Sequence, residues 1–130
     1  MEAYSENEFE KSWIQEIEAD LMKVGIIRCQ QTEIYCPATT CLLNATKGEG
    51  GFSESGPVEV IGVNSCGGCP GKQVYVRAMD MKKRGAEKID LASCIFKGAP
   101  GYLGYPCPFA NKLKKIIEEK VQIDTIDWTH

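Results

Sequence analysis

Three cysteines in the chain are each followed at once by a proline: Cys36-Pro37, Cys69-Pro70 and Cys107-Pro108. Each pair opens a helix-like apolar pattern shortly after a strand-like one. Proline suits the first helical position, because its fixed φ fits the helix and its missing N–H would have no partner there anyway. The cysteine before it is then expected at the N-cap, against the positive end of the helix dipole. That location lowers a thiol's pKa and favours the thiolate, the form that binds metals and attacks disulfides. Three such pairs in one strand–cysteine–proline–helix context predict a cluster of sulfur ligands at one edge of a sheet.

The closest pair is Cys66-Gly67-Gly68-Cys69. Two sulfurs at this spacing can hold one ion, because the glycines let the backbone curl its amides toward them. A zinc motif usually carries a second close pair of the same kind. This chain has none, so its remaining sulfurs must be gathered by the fold. All-sulfur ligation suits zinc, the first expectation, or an iron–sulfur cluster. Neighbouring strands lie ~4.8 Å apart, so four strand ends span roughly 14 Å and one ion cannot collect a ligand from each without loops reaching inward. The first expected ligand set is Cys29, Cys66, Cys69 and Cys94. A second tier holds Cys36, Cys41, Cys107 and His130, with His130 last because a terminal histidine is commonly a frayed end.

Other chemistry is open to the same residues. A C-x-x-C pair at a helix start is where thiol–disulfide enzymes carry their motif, one thiol attacking and the other resolving. The strand-end Cys66 is then the expected attacking thiol. The Gly67-Gly68 turn is also a candidate anion cradle. A cysteine-phosphatase loop, however, wants an arginine six residues after its nucleophile, and the chain has Lys72, a poorer bidentate partner for phosphate. Simple packing is the remaining alternative, since unpaired cysteine is among the most buried residue types. It suits Cys41 and Cys94, which sit in apolar company, better than Cys66 and Cys69 in their glycine turn.

Something must position these sulfurs. At 130 residues the chain is expected to form one domain able to bury its own core without cross-links. Seven cysteines make an odd count, which argues against a closed disulfide framework. No apolar run approaches the ~20 residues of a membrane span. The acidic N-terminus lacks the basic-then-apolar pattern of a signal peptide. Both observations, with the abundant thiols, lead to an expectation of a cytoplasmic protein whose cysteines stay reduced. The net charge of −3 is uneven: residues 1–20 carry seven acidic residues and one lysine. Basic runs at Lys82-Lys83-Arg84 and around Lys114-Lys115 have no interleaved aromatics to stack bases, and are read as solvated helix faces rather than a nucleic-acid surface.

Ser5 to Glu8 fits a capping box, and Phe9, Trp13, Ile14, Ile17 and Leu21 follow at helical spacing, predicting an amphipathic helix over about 6–20. A buried strand is expected from Met22 to Cys29, then a helix from Pro37 to about Lys47. Residues 48–57 have the composition of a surface loop. Strand two is expected over Val58–Asn64 and a helix from Pro70 to a stop at Gly85. Lys88–Cys94 reads as strand three, Pro108 as the start of a third helix, and Val121–Asp127 as strand four. Strands alternating with helices imply right-handed crossovers and a parallel sheet. The expected architecture is therefore three-layer α/β, a flavodoxin-like four-stranded sheet in order 2-1-3-4. One helix covers one face and two the other. Residues 1–21 would form an appended helix on a domain of residues 22–130. That helix would fill the under-covered face, on its own sheet or, in a homodimer, on a partner's. In such sheets the strand carboxyl ends share one edge, where binding sites form; the sulfurs and His130 all fall there.

The run Cys66-Gly67-Gly68-Cys69-Pro70-Gly71-Lys72 after an apolar strand resembles the signature of the CGGC domain family. So do MKVGIIRC at the start of the module, Cys36-Pro37 with Cys41, Ser93-Cys94, Tyr105-Pro106-Cys107-Pro108 and the final Thr129-His130. The resemblance covers about residues 22–130. It implies metal binding, with zinc among the candidates, and assigns no reaction. A family described as rich in cysteine and histidine meets one histidine here, which leaves the ligand set almost wholly sulfur.

Overall fold

The structure is a computed structural model and describes residues 21–98 and 106–130. Four strands form one sheet: β1 (Met22–Arg28), β2 (Val58–Ser65), β3 (Lys88–Leu91) and β4 (Asp124–Ile126), in order β2-β1-β3-β4. Every pairing is parallel. This is the topology the sequence predicts. The amphipathic helix expected over 6–20 lies outside the described residues, as does most of the loop between β3 and the third helix.

Alternation along the central strands sorts their side chains into two cores. Ile27 of β1 and Ile89 and Leu91 of β3 pack with Val74, Ala78, Leu113 and Ile117 on one face. Those partners come from α3 (Val74–Lys83) and from α5 (Ala110–Lys115), which continues as a π-helical segment over Ile116–Val121. Val24 and Ile26 point the other way, onto Cys41, Ala45 and Phe52. Here α2 (Thr39–Lys47) and a 3-10 turn (Gly50–Phe52) form the covering layer. Burying each large apolar side chain contributes ~1.5–3 kcal/mol before entropy. Phe52 is fully buried, so the glycine-rich stretch 48–57 is not only surface loop: it plugs the second core.

Several boundaries differ from the sequence expectation, and the differences decide where the sulfurs go. Helix α2 starts at Thr39, after Ala38 in the left-handed region (φ 67°), rather than at Pro37. Helix α3 starts at Val74 with Gln73 at its N-cap, and α5 at Ala110 with Phe109 at its N-cap. None of Cys36, Cys69 and Cys107 is therefore an N-cap. Proline keeps the residue before it out of helical conformation, but these prolines sit in turns that precede the helices. Strand three ends at Leu91, because Ser93–Phe96 turns into a short helix, α4. Strand four is shortened at its start: the π-helical segment runs through Val121 and is closed by Gln122 at φ 62°. A further four-residue helix, α1 (Gln30–Glu33), follows β1 directly, with Cys29 as its N-cap residue.

Candidate metal centre

Each sulfur reaches the carboxyl edge of the sheet by its own local device. Cys29 follows β1, and its backbone N–H donates to the Cys94 sulfur at 3.2 Å. Cys94 is in α4, just beyond β3. Cys66 follows β2 and is buried; its N–H bonds the Arg28 carbonyl of the neighbouring strand at 2.8 Å. Cys69 lies in the turn after it, exposed, with a cis bond to Pro70. The sulfurs of Cys36 and Cys107 each accept the N–H two residues on, from Ala38 at 3.4 Å and Phe109 at 3.3 Å. Two of the three Cys-Pro pairs thus share one turn, in which sulfur takes the place of a serine or aspartate oxygen.

Glycine in the Cys66–Gly71 loop answers to geometry. Gly67 and Gly71 have φ of 81° and 90°, a region L side chains rarely adopt. An added Cβ at Gly71 would stand 2.4 Å from Cδ2 of Leu113, and at Gly67 2.6 Å from the Gln73 side chain. The loop is closed by Gly71 N–H to the Gly68 carbonyl at 2.7 Å and Val74 N–H to the Gly71 carbonyl at 3.1 Å. Its start is clamped by Arg77, whose Nη1 donates to the Ser65 carbonyl at 3.0 Å and to its hydroxyl at 2.9 Å.

Burial and neighbouring charge act on three of the thiols. Burial pushes the Cys107 thiol up, opposed by the Phe109 N–H, and the charges of Cys69, Cys29 and Cys66 push it further. Burial also raises Cys94, against the Cys29 N–H, and Cys29 itself adds to the rise. Cys41 is raised by burial, opposed by the Thr129 hydroxyl, with Cys94, Asp90 and Cys36 adding. Packing gives two groups: Cys66, Cys29 and Cys107 adjoin the first core, Cys36 and Cys41 line a cavity on the other side, and Cys94 touches both. The N-cap argument expected Cys107 to be lowered; without that position, burial wins. Among the described residues no three Cys, His, Asp or Glu side chains stand together at ligating range.

His130 is not a frayed end. Its N–H donates to Ser93 Oγ at 2.9 Å, and its carbonyl accepts from the same hydroxyl at 2.8 Å and from Lys97 Nζ at 3.1 Å. Thr129, fully buried, places its hydroxyl 3.1 Å from the Cys41 sulfur and donates its N–H to Ser93 Oγ at 3.0 Å. Ser93 and Thr129 carry the anchoring of this edge, yet no ligand chemistry marks them in the sequence. Their signal was the Ser-Cys and Thr-His pairing at two strand ends.

The model of the CGGC domain matches residues 23–130. The chain belongs to the CGGC domain family. An uncharacterized protein of Methanocaldococcus jannaschii, MJ0582, is 33% identical over 117 residues, covering 84% of this chain and 87% of that protein. No solved structure matches the chain. The matched span of the CGGC domain contains all seven cysteines. In this member no described helix is long and apolar enough to cross a membrane.

Proposed function

We propose that this CGGC domain binds a thiophilic metal through Cys29, Cys66, Cys69 and Cys107, with Cys94 adjoining, in a role of metal handling, sensing or electron transfer. The observation that supports the reading is that Cys29, Cys66, Cys94 and Cys107, from separate segments, adjoin one core, with the charges of Cys69, Cys29 and Cys66 raising the Cys107 thiol. The donor set fits zinc first and an iron–sulfur cluster second, since both take thiolates. Closing the site needs side-chain rotation, for which the exposed Cys69 on its glycine turn is best placed. Bound metal supplies a charge that holds its ligands deprotonated; binding therefore releases protons and weakens in acid. The second-tier residues Cys36, Cys41 and His130 are not required by this set.

A thiol–disulfide role for Cys66 and Cys69 is favoured by a different observation. Cys69 is exposed while Cys66 is buried behind it, the arrangement of an attacking thiol and its resolving partner. The attacking thiol in this reading is Cys69, reversing the sequence expectation. Elemental analysis of protein purified without oxygen, with an absorption spectrum, separates the two. Zinc in a colourless protein, or iron with acid-labile sulfide, supports metal binding. Cys66→Ser, Cys69→Ser and Cys107→Ser should each lose most of the metal. Metal content untouched by these changes, with disulfide reduction abolished in the first two, supports the redox reading instead.

A further inference from the structure

Beside the glycine-turn sulfurs, on the other side of Cys94, the carboxyl edge of the sheet opens into a cavity of about 330 Å³. Among the described residues its charged side chains are Arg28 and Lys97, both basic. The rest of the wall mixes apolar and sulfur side chains, among them Ala92, Cys36, Cys41 and Cys94, with the hydroxyls of Thr32, Thr40 and Ser93 and with His130. Ligand sites in open parallel sheets form at this edge, and the volume suits a small metabolite rather than a polymer.

Arg28 has more donors than the protein uses. A guanidinium carries five N–H groups. Here Nη1 donates to the Cys36 carbonyl, Nη2 makes a long ion pair with Glu33 at 4.0 Å, and Nε is buried with no partner among the described residues. Lys97 Nζ bonds an oxygen of His130 at 3.1 Å and lies 4.3 Å from the Trp128 ring centroid. Helix α2 begins at the same wall with no side-chain cap, so its positive end adds to the field. A partly satisfied guanidinium beside a lysine, in a cavity of mixed polar, apolar and thiol lining, matches one anionic head on a small body. The planar fork of Arg28 matches the two oxygens of a carboxylate.

We infer that this cavity is a binding site for a small organic monocarboxylate, held by Arg28 and Lys97 with its body against Cys36, Cys41 and Cys94. The site shares only Cys94 with the surroundings of the proposed metal set, and its test does not read metal.

Iodoacetate and its neutral counterpart iodoacetamide test the inference. Each alkylates a thiol by forming a sulfur–carbon bond and expelling iodide, the thiol proton going to solvent. They differ only in whether the reagent carries a carboxylate. Labelling of Cys36 is followed by peptide mass spectrometry on the full-length protein, with glutathione in the same tube as the reference thiol. The expected result is saturable labelling of Cys36 by iodoacetate. Its rate relative to iodoacetamide should exceed the glutathione ratio by at least tenfold, and propanoate should suppress it where propionamide does not. Arg28→Gln should bring the ratio back to that of glutathione, and Arg28→Lys should retain part of it. The inference is overturned by a Cys36 ratio equal to that of glutathione in the unmodified protein, by labelling indifferent to propanoate, or by a Cys36 that neither reagent reaches. The unmodified protein alone decides the matter if the Arg28 variants fail to fold. Metal content measured on the same sample reports on the metal reading independently.

Discussion

The backbone N–H of Cys29 donates to the Cys94 sulfur across 3.2 Å, and this bond joins the end of β1 to the first turn of α4. It stands between the two groups of thiols and keeps Cys94 turned inward, where burial holds its thiol above the ordinary value despite the donated N–H. Cys41 is buried more deeply, and its thiol is likewise raised. Nucleophilic sulfur is thiolate, so reactivity should follow exposure. In reduced, metal-free protein at pH 7.5, Cys69 is expected to be alkylated first. Cys41 and Cys94 should react at least tenfold more slowly until the chain unfolds. Peptide mapping after timed iodoacetamide quenching checks the order; Cys41 reacting as fast as Cys69 would contradict it.

Asp90 sets a pH dependence of opposite sense to that of a salt-bridged carboxylate. It is fully buried on β3, and neither carboxylate oxygen has a hydrogen-bond partner among the described residues. Burial, with the charge of Asp127 adding, pushes its pKa from 3.8 to about 9. The unfolded chain releases that proton near 3.8 and the folded chain keeps it, so between about pH 4 and 9 the native state binds one proton more. Folding stability from this group is then full below pH 4 and declines as the pH rises through that window. Asp90→Asn copies the neutral acid and removes the dependence. The variant should match the parent near pH 4 and melt several degrees higher near pH 8. Parallel melting profiles for the two proteins would show that Asp90 is ionised in the fold.

The strand order, and with it the place of Cys29 and Cys66 just past β1 and β2, was legible because both follow from periodicity and chain order, which parallel βαβ topology turns into place. The local caps were not. Reading Pro37, Pro70 and Pro108 as first helical residues assumed that each helix begins at its proline, whereas Ala38 at positive φ and the Gly67–Gly71 loop insert a turn first. A left-handed alanine has no sequence mark, since propensity disfavours it and only tertiary packing holds it. Phe52 escaped notice because its neighbours are glycine and serine. Lys97 and Arg28 carry no mark in the sequence, and only the folded edge shows them lining a cavity.

Ser93 is the fastener of the chain's last residues. Its hydroxyl accepts from the N–H groups of Thr129 and His130 and donates to the His130 carbonyl. Ser93→Ala leaves the Thr129 N–H, in a fully buried residue, without a partner, at a cost of about 1–3 kcal/mol. The expected result is a lower melting temperature and amide exchange at Thr129 and His130 faster by tenfold or more. Amides in β1, at the sheet centre, should exchange at a rate reflecting only the global loss. Uniform acceleration at Thr129 and in β1 would mean that Ser93 supports the whole fold rather than this edge.

Gly71 and Gly56 separate two costs that usually come together. Both lie at positive φ, 90° and 77°, but a Cβ at Gly71 would stand 2.4 Å from Leu113 Cδ2, whereas a Cβ at Gly56 would meet nothing within 4 Å. Alanine at Gly56 therefore carries only the backbone strain, of order 1 kcal/mol. At Gly71 the same strain comes with displacement of Leu113, a fully buried side chain in the core between α3 and α5, and overpacking of that kind costs about 1–3 kcal/mol more. Thermal unfolding of both variants should therefore place Gly71→Ala clearly below Gly56→Ala. Adding Leu113→Ala to Gly71→Ala should cost less than Leu113→Ala costs alone, because the clash and the cavity occupy the same space. Full additivity of the two substitutions would mean that the glycine turn can swing away from α5, and that the spacing of Cys66 and Cys69 is set by the loop itself and not by the helix beneath it.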